Sequence, residues 1–254
     1  MVIKYSRQKM EAVMFEQLKM DVYKANMELV KKGLVLYTWG NVSAIDQERK
    51  HVVIKPSGVD YEHMSYEDMV VVGMDGEVIE GKLKPSSDTK THLEIYKAFE
   101  NTWAVAHTHS VYAVSYAQAG RNIIPMGSTH ADYFYGEVPC TRAMMPEEIR
   151  NEYEKNTGKV ITETFKNKDY NAIPACLVRN HGPFTWGNTA LEAVFHSVVL
   201  EEIAKMAFIT ERINKDIQPM SKCLLDKHFK RKHGKMPTMV RMRKFRINLF
   251  LHHK

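Results

Sequence analysis

The chain has 254 residues, 44% of them hydrophobic, enough for one sizeable core, and one large domain is the expected organisation. No apolar run reaches the length of a membrane span and the first residues carry no apolar signal core, so the expectation is a cytoplasmic protein without a membrane role. The net charge of +6 is concentrated: residues 227–254 hold ten Lys or Arg and no acid, leaving 26 basic against 30 acidic residues elsewhere, which argues against a nucleic-acid-binding body.

In chain order, residues 14–32 space their apolar side chains as a helix does, with Gly33 as the stop. VLYTWGNVSAID and HVVIKPSG predict short strands around turns. MVVVGMDGEVIEG predicts a hairpin turning at Asp75-Gly76. Ser87 or Asp88 is placed to cap a helix through THLEIYKAF. WAVAHTH predicts a buried strand, followed by a helix that Gly120 closes. Pro146 opens a charged helix, PEEIRNEYEKNTGKVITETF; ACLVRNHGPFTWG predicts one more strand; and residues 189–213 predict a long helix with an apolar face. Strands and helices alternate irregularly, which predicts a mixed sheet covered by helices. Cys140, Cys176 and Cys223 lie far apart with no CxxC pair, suiting a reducing compartment, and are expected as buried small apolar groups.

Chemistry concentrates at His107-Thr108-His109. Residues i and i+2 of a strand share a face, so two imidazoles would stand side by side at a strand end. His181 follows another strand and precedes Gly182-Pro183, a turn that fixes its direction. Two close histidines and one distant one match the three-ligand, open-position arrangement of catalytic zinc, although nitrogen donors also accept manganese or cobalt. An H-x-H pair alone is a weak motif, and His92, His130, His196, His228 and His233 are uninformative by spacing. Three loops are rich in small residues and donors: Gly40-Asn41-Val42-Ser43, Lys55-Pro56-Ser57-Gly58 and Lys84-Pro85-Ser86-Ser87-Asp88. Each alone reads as an ordinary turn; together they suit a phosphate dianion. No GxxxxGK[ST] or GxGxxG occurs, so nucleotide binding has no support.

WGNVSAID, KPSGVDY, KPSSDTKTH, HTHS, STHADYFYGEVPCTR, NHGPFTWG and LLDKHFKRKHG occur in this order between about Met14 and Lys235. On these motifs the chain resembles the class II aldolase/epimerase family, in its L-ribulose-5-phosphate 4-epimerase branch. The resemblance implies an α/β, three-layer fold with a central, largely antiparallel mixed sheet flanked by helices, in one domain over residues 14–235. It implies a homotetramer with active sites at subunit interfaces, and one Zn2+ per subunit on His107, His109 and His181 with Asp88 as a carboxylate ligand. Asn41, Ser57, Gly58, Ser86 and Ser87 would hold the substrate phosphate with Lys55 close by. Asp132 would be an acid/base residue, while His228 and Arg231 would reach a neighbouring chain's site. The implied reaction converts L-ribulose 5-phosphate to D-xylulose 5-phosphate by breaking and remaking the carbon 3–carbon 4 bond.

The chain departs from that pattern at its end. The family carries a second acid/base tyrosine in A-Y-Y-G-Q; this chain reads KMPTMVRMRKFRINLFLHHK. The codons AAA ATG CCT ACT ATG GTC AGA encode Lys-Met-Pro-Thr-Met-Val-Arg and, read two bases later, N-A-Y-Y-G-Q, with the tyrosine falling at Met239. Residues 236–254 are therefore expected to be out-of-frame sequence or a disordered basic tail, and residues 1–13 an upstream extension. Three further readings stay open. The chain is an aldolase that releases both fragments; it is an epimerase impaired by the missing tyrosine; or its basic tail contacts nucleic acid or anionic lipid, against which the thin aromatic interleaving counts.

Overall fold

The computed structural model of the protein describes residues 7–234. Lys235, the expectations for residues 236–254 including Met239, and those for residues 1–6 fall outside the described residues. Helix α1 (Arg7–Lys31) starts within the stretch expected as an extension. It ends as Gly33 requires: φ is +69°, the Gly33 N–H donates to the Val30 carbonyl and the Leu34 N–H to that of Leu29.

Strands β1 (Asn41–Ile45), β2 (His51–Ile54), β3 (Val70–Gly73) and β4 (Val78–Glu80) follow, the last two joined at Gly76 as expected. Helix α2 (Thr89–Ala98), β5 (Ala104–His107), α3 (Val111–Ala119) and the one-turn α4 (Ser128–Ala131) come next. The chain then forms α5 (Pro146–Arg150), α6 (Tyr153–Thr164), β6 (Ala175–Val178), β7 (Gly182–Gly187), α7 (Ala190–Ile213) and α8 (Lys222–His233). The seven strands lie in the order β4-β3-β2-β1-β5-β7-β6. Every pairing between them is antiparallel, not mixed. Short returns such as β1–β2, β3–β4 and β6–β7 permit nothing else, since parallel neighbours need a long crossover.

Alternation along the strands divides two cores. Val42, Val53, Val71 and Ala106 face α1 and the start of α7; Val52, Val72, Val105 and Phe184 face α2, α3 and α6. Helices therefore cover both faces, giving three layers.

Four expectations are corrected. Leu36–Gly40 is a loop, because Tyr37 (φ +54°) and Gly40 (φ +71°) leave the extended region. The helix from Pro146 breaks at Asn151–Glu152, where Glu152 is left-handed (φ +52°). ACLVRNHGPFTWG is a hairpin of two strands, with Asn180 (φ +63°) at its turn. Only Cys176 is buried; Cys140 is half-buried and Cys223, on a helix with no buried residue, is exposed.

Candidate metal centre

Only His107 of the H-x-H pair lies in β5; His109 is in the turn that leads into α3. His107 is fully packed, its ring stacked on Phe184 at 4.2 Å. Its Nδ1 lies 2.9 Å from the Pro183 carbonyl, which can only accept, so the proton sits on Nδ1 and the Nε2 lone pair is left bare. Nε2 of His109 lies 2.9 Å from Nε2 of His107. His181 arrives from the β6–β7 turn, and its buried Nδ1 has no hydrogen-bond partner among the described residues. Donor atoms of the three imidazoles lie within 4.8 Å of one another. Burial pushes all three pKa values down, that of His107 well below its ordinary value, so the rings are neutral as ligation requires.

Asp88 occupies the N-cap position of α2, yet its side chain makes no cap bond. Its Oδ2 instead accepts from Asn41 Nδ2 at 2.8 Å and stands 4.0 Å from His107 Nε2. Three converging imidazoles, an adjacent carboxylate and an orphaned buried ring nitrogen fit a divalent cation. Beneath them His92 is wholly buried, its Nδ1 2.7 Å from the Ser43 hydroxyl, which in turn meets the Tyr96 hydroxyl at 2.8 Å; burial pushes His92 down to about 3.

The centre opens into a cavity of about 380 Å3. Asn41, Lys55, Ser57, Gly58, Ser86, Ser87 and Asp88 line it together with the three histidines. The two loops are bonded together, Ser57 N–H to the Lys84 carbonyl and Ser86 N–H to that of Lys55. The Lys55 ammonium is buried over the Tyr61 ring at 4.7 Å and donates to the Val59 carbonyl at 2.9 Å. Burial lowers its pKa to about 8, partly offset by Asp60.

The sequence matches the profile of the Class II Aldolase and Adducin N-terminal domain family over residues 20–208. It is 54% identical over 219 residues to L-ribulose-5-phosphate 4-epimerase UlaF of Salmonella paratyphi A, covering 86% of this chain and 96% of that one. The chain belongs to the class II aldolase family. The corresponding Salmonella paratyphi C protein of the same name is 55% identical, with the same coverage. The fold matches that of a solved L-fuculose 1-phosphate aldolase (TM-score 0.71, 24% identity, 84% of this chain and 94% of that one). It equally matches the L-fuculose 1-phosphate aldolase from Glaciozyma antarctica PI12 (TM-score 0.71, 20% identity, 91% and 86%).

In this class II aldolase-family chain Asp132, His228 and Arg231 do not line the metal pocket. They form a cluster of their own, where α8 lies on the α4 turn. Asp132 Oδ1 stands 3.0 Å from His228 Nδ1 and 3.2 Å from Arg231 Nη2, and Oδ2 is 3.6 Å from Lys232 Nζ. His233 Nε2 donates to the Asp132 carbonyl at 2.9 Å. Burial alone would raise the Asp132 pKa; the His228 bond and the charges of Lys232 and Arg231 outweigh it and hold the carboxyl below its usual range.

Trp39, Tyr153 and Glu154 also line the pocket, and sequence reasoning did not single them out. Trp39 lies inside the WGN motif, in a stretch whose sequence predicts strand. Tyr153 and Glu154 fall in the interior of the single charged helix that the sequence predicts; the left-handed Glu152 that precedes a second helix there carries no Gly or Pro signal.

Proposed function

We propose that the chain is a cytoplasmic, divalent-metal-dependent 4-epimerase that converts L-ribulose 5-phosphate to D-xylulose 5-phosphate. The observation that carries this reading is the convergence of the His107, His109 and His181 donors beside Asp88, in a pocket whose other wall is the Lys55–Gly58 and Ser86–Ser87 loops. The activity named for relatives more than half identical over nearly their full length supports the substrate. Zinc is the proposed ion, with manganese and cobalt compatible with the donors. Bound there, it would supply Lewis-acid stabilisation to the oxygens on carbons 2 and 3 of the ketose as negative charge develops.

The chain's own groups grip and move protons. The N–H groups of Gly58 and Ser87 and the hydroxyls of Ser57, Ser86 and Ser87, with Asn41 and the Lys55 ammonium, hold the phosphate. A base removes the proton from the hydroxyl on carbon 4. That O–H pair becomes the second C–O bond, and the carbon 3–carbon 4 pair moves onto carbon 3. The fragments are dihydroxyacetone enediolate and glycolaldehyde phosphate. The aldehyde turns over while its phosphate stays held, carbon 3 adds to its other face, and the new oxyanion on carbon 4 takes a proton.

Asp132 and His228 are the proposed proton-transfer unit. An aspartate held below its usual range is a poor acid near neutrality, but it orients a histidine well, as a carboxylate on Nδ1 leaves Nε2 free to exchange protons. Because Asp132, His228 and Arg231 share one cluster outside their own chain's pocket, they are proposed to serve a neighbour's pocket together. This accords with a homotetramer whose sites lie at subunit interfaces.

The test is turnover of L-ribulose 5-phosphate by the purified chain, reading D-xylulose 5-phosphate. Chelation is expected to abolish it and zinc, cobalt or manganese to restore it. Undiminished turnover by metal-free protein, or release of glycolaldehyde phosphate as the main product, would overturn the reading.

A further inference from the structure

The loop before β1 exposes large apolar side chains at the pocket mouth. Leu36 is 60%, Tyr37 75% and Trp39 48% exposed. Such exposure would be unremarkable on a loose loop, but this one is fastened. The Trp39 N–H donates to the Leu36 carbonyl, and the Tyr61 hydroxyl lies 3.0 Å from the carbonyls of both Trp39 and Gly40. Gly40 is closely packed: a Cβ there would stand 2.6 Å from the Val35 side chain and 2.8 Å from the His107 carbonyl. Tyr37 is held in a left-handed conformation that bulky residues avoid, and its ring meets Trp39 edge-on at 6.2 Å. A locked backbone carrying strain and a half-exposed indole marks a binding surface.

Trp39 lines the same pocket as both grips. Its indole lies 6.0 Å from the His109 ring at the metal end. The main-chain carbonyl of Trp39 accepts from the Tyr61 hydroxyl, and the Tyr61 ring carries the Lys55 ammonium at the phosphate end. The bond that the proposed reaction breaks lies between those ends. Once it is broken, the aldehyde fragment is held only by its phosphate. Water reaching the enediolate would deliver a proton to carbon 3, the hydroxide left behind taking the proton that the base removed from the carbon 4 hydroxyl, and the pair would leave as free dihydroxyacetone and glycolaldehyde phosphate, with the atoms and charge of the ketose phosphate conserved.

We propose that Trp39 is the retaining wall of this pocket: its indole confines the aldehyde during its turn, shields carbon 3 from water, and thereby sets the ratio of epimerised product to released fragments. This rests on the epimerase reading given above.

The experiment measures that ratio in the metal-loaded full-length chain acting on L-ribulose 5-phosphate, with released aldehyde trapped as it forms. Trp39→Phe keeps a flat apolar wall and is expected to stay within about threefold of the parent ratio, whereas Trp39→Ala is expected to raise the released fraction at least about tenfold. Metal content and melting temperature are read on both variants. An unchanged ratio in Trp39→Ala, including a parallel loss of both products, overturns the proposal. If Trp39→Ala does not fold, Trp39→Leu replaces it with the same expectation at smaller amplitude. Fragments alone from the parent chain would overturn the epimerase reading itself, a result distinct from an epimerase whose ratio ignores Trp39.

Discussion

Replacing Asp132 by Asn tests how α8 is held. This helix buries none of its residues, so the hydrophobic term that docks most helices is small. What remains is polar: the Tyr135 hydroxyl, which donates to Asp226 and accepts from Lys222, at one end, and the cluster around Asp132 at the other. The His228 contact is shielded, with both side chains less than a fifth exposed, whereas Arg231 is half in solvent and contributes little. A hydrogen bond to a charged group contributes about 1.5–3 kcal/mol, so neutralising the carboxylate should cost about 2 kcal/mol of docking, or about thirtyfold in the opening equilibrium. Hydrogen exchange reads this directly. Amides of Lys222–His233 should lose about thirtyfold in protection in the variant, while β5 and β7 keep theirs. The sign with pH follows from the depressed carboxyl: its contribution is full above the ordinary value near 3.8 and is lost as pH falls through the shifted one, so α8 of the parent should open in acid. Added salt should loosen it too. If protection of α8 is the same in parent and variant at neutral pH, the electrostatic latch is wrong.

Two further outcomes are expected. Lys55→Met should raise KM for the sugar phosphate about thirtyfold or more with a smaller effect on kcat, and should remove a fall in kcat/KM above about pH 8, where the parent's buried ammonium loses its proton. A parent profile flat through that pH would contradict the assignment. Gly40→Ala should cost about 3 kcal/mol in urea unfolding, since the added carbon meets backbone as well as side chain and the left-handed φ is unfavourable for it. A loss under about 0.5 kcal/mol, the range usual for surface changes, would show that the loop gives way.

The strands were legible where local chemistry and final position agree. Val70–Gly73 and Val78–Glu80 are apolar runs on either side of Asp75-Gly76, a turn that needs no tertiary help, and Gly33 stops α1 on its own. The three histidines were legible because strand ends and a Gly-Pro turn direct side chains locally. What sequence did not reveal depends on distant partners. The break before Tyr153 has no Gly or Pro; Glu152 takes a left-handed conformation that α6 tolerates because it packs on α2, with Thr91 donating to the Glu154 carbonyl. Asp88 looked like a cap and instead meets Asn41, 47 positions away. The gathering of Asp132 with His228 spans 96 positions and is fixed by how α8 lies, which no periodicity encodes.

The carbonyl that sets the His107 proton belongs to Pro183, two positions beyond His181. Two of the three donors thus take their bearings from a single short stretch of main chain. When the β6–β7 hairpin peels from the sheet, both rings lose direction at once, and His109 and Asp88 are left as an incomplete ligand set. Occupancy of the centre should therefore switch as a unit with the zipping of that hairpin. By reciprocity a captured cation would clasp the edge strand β6 to the sheet, so that the candidate metal centre would double as a rivet for that edge of the fold.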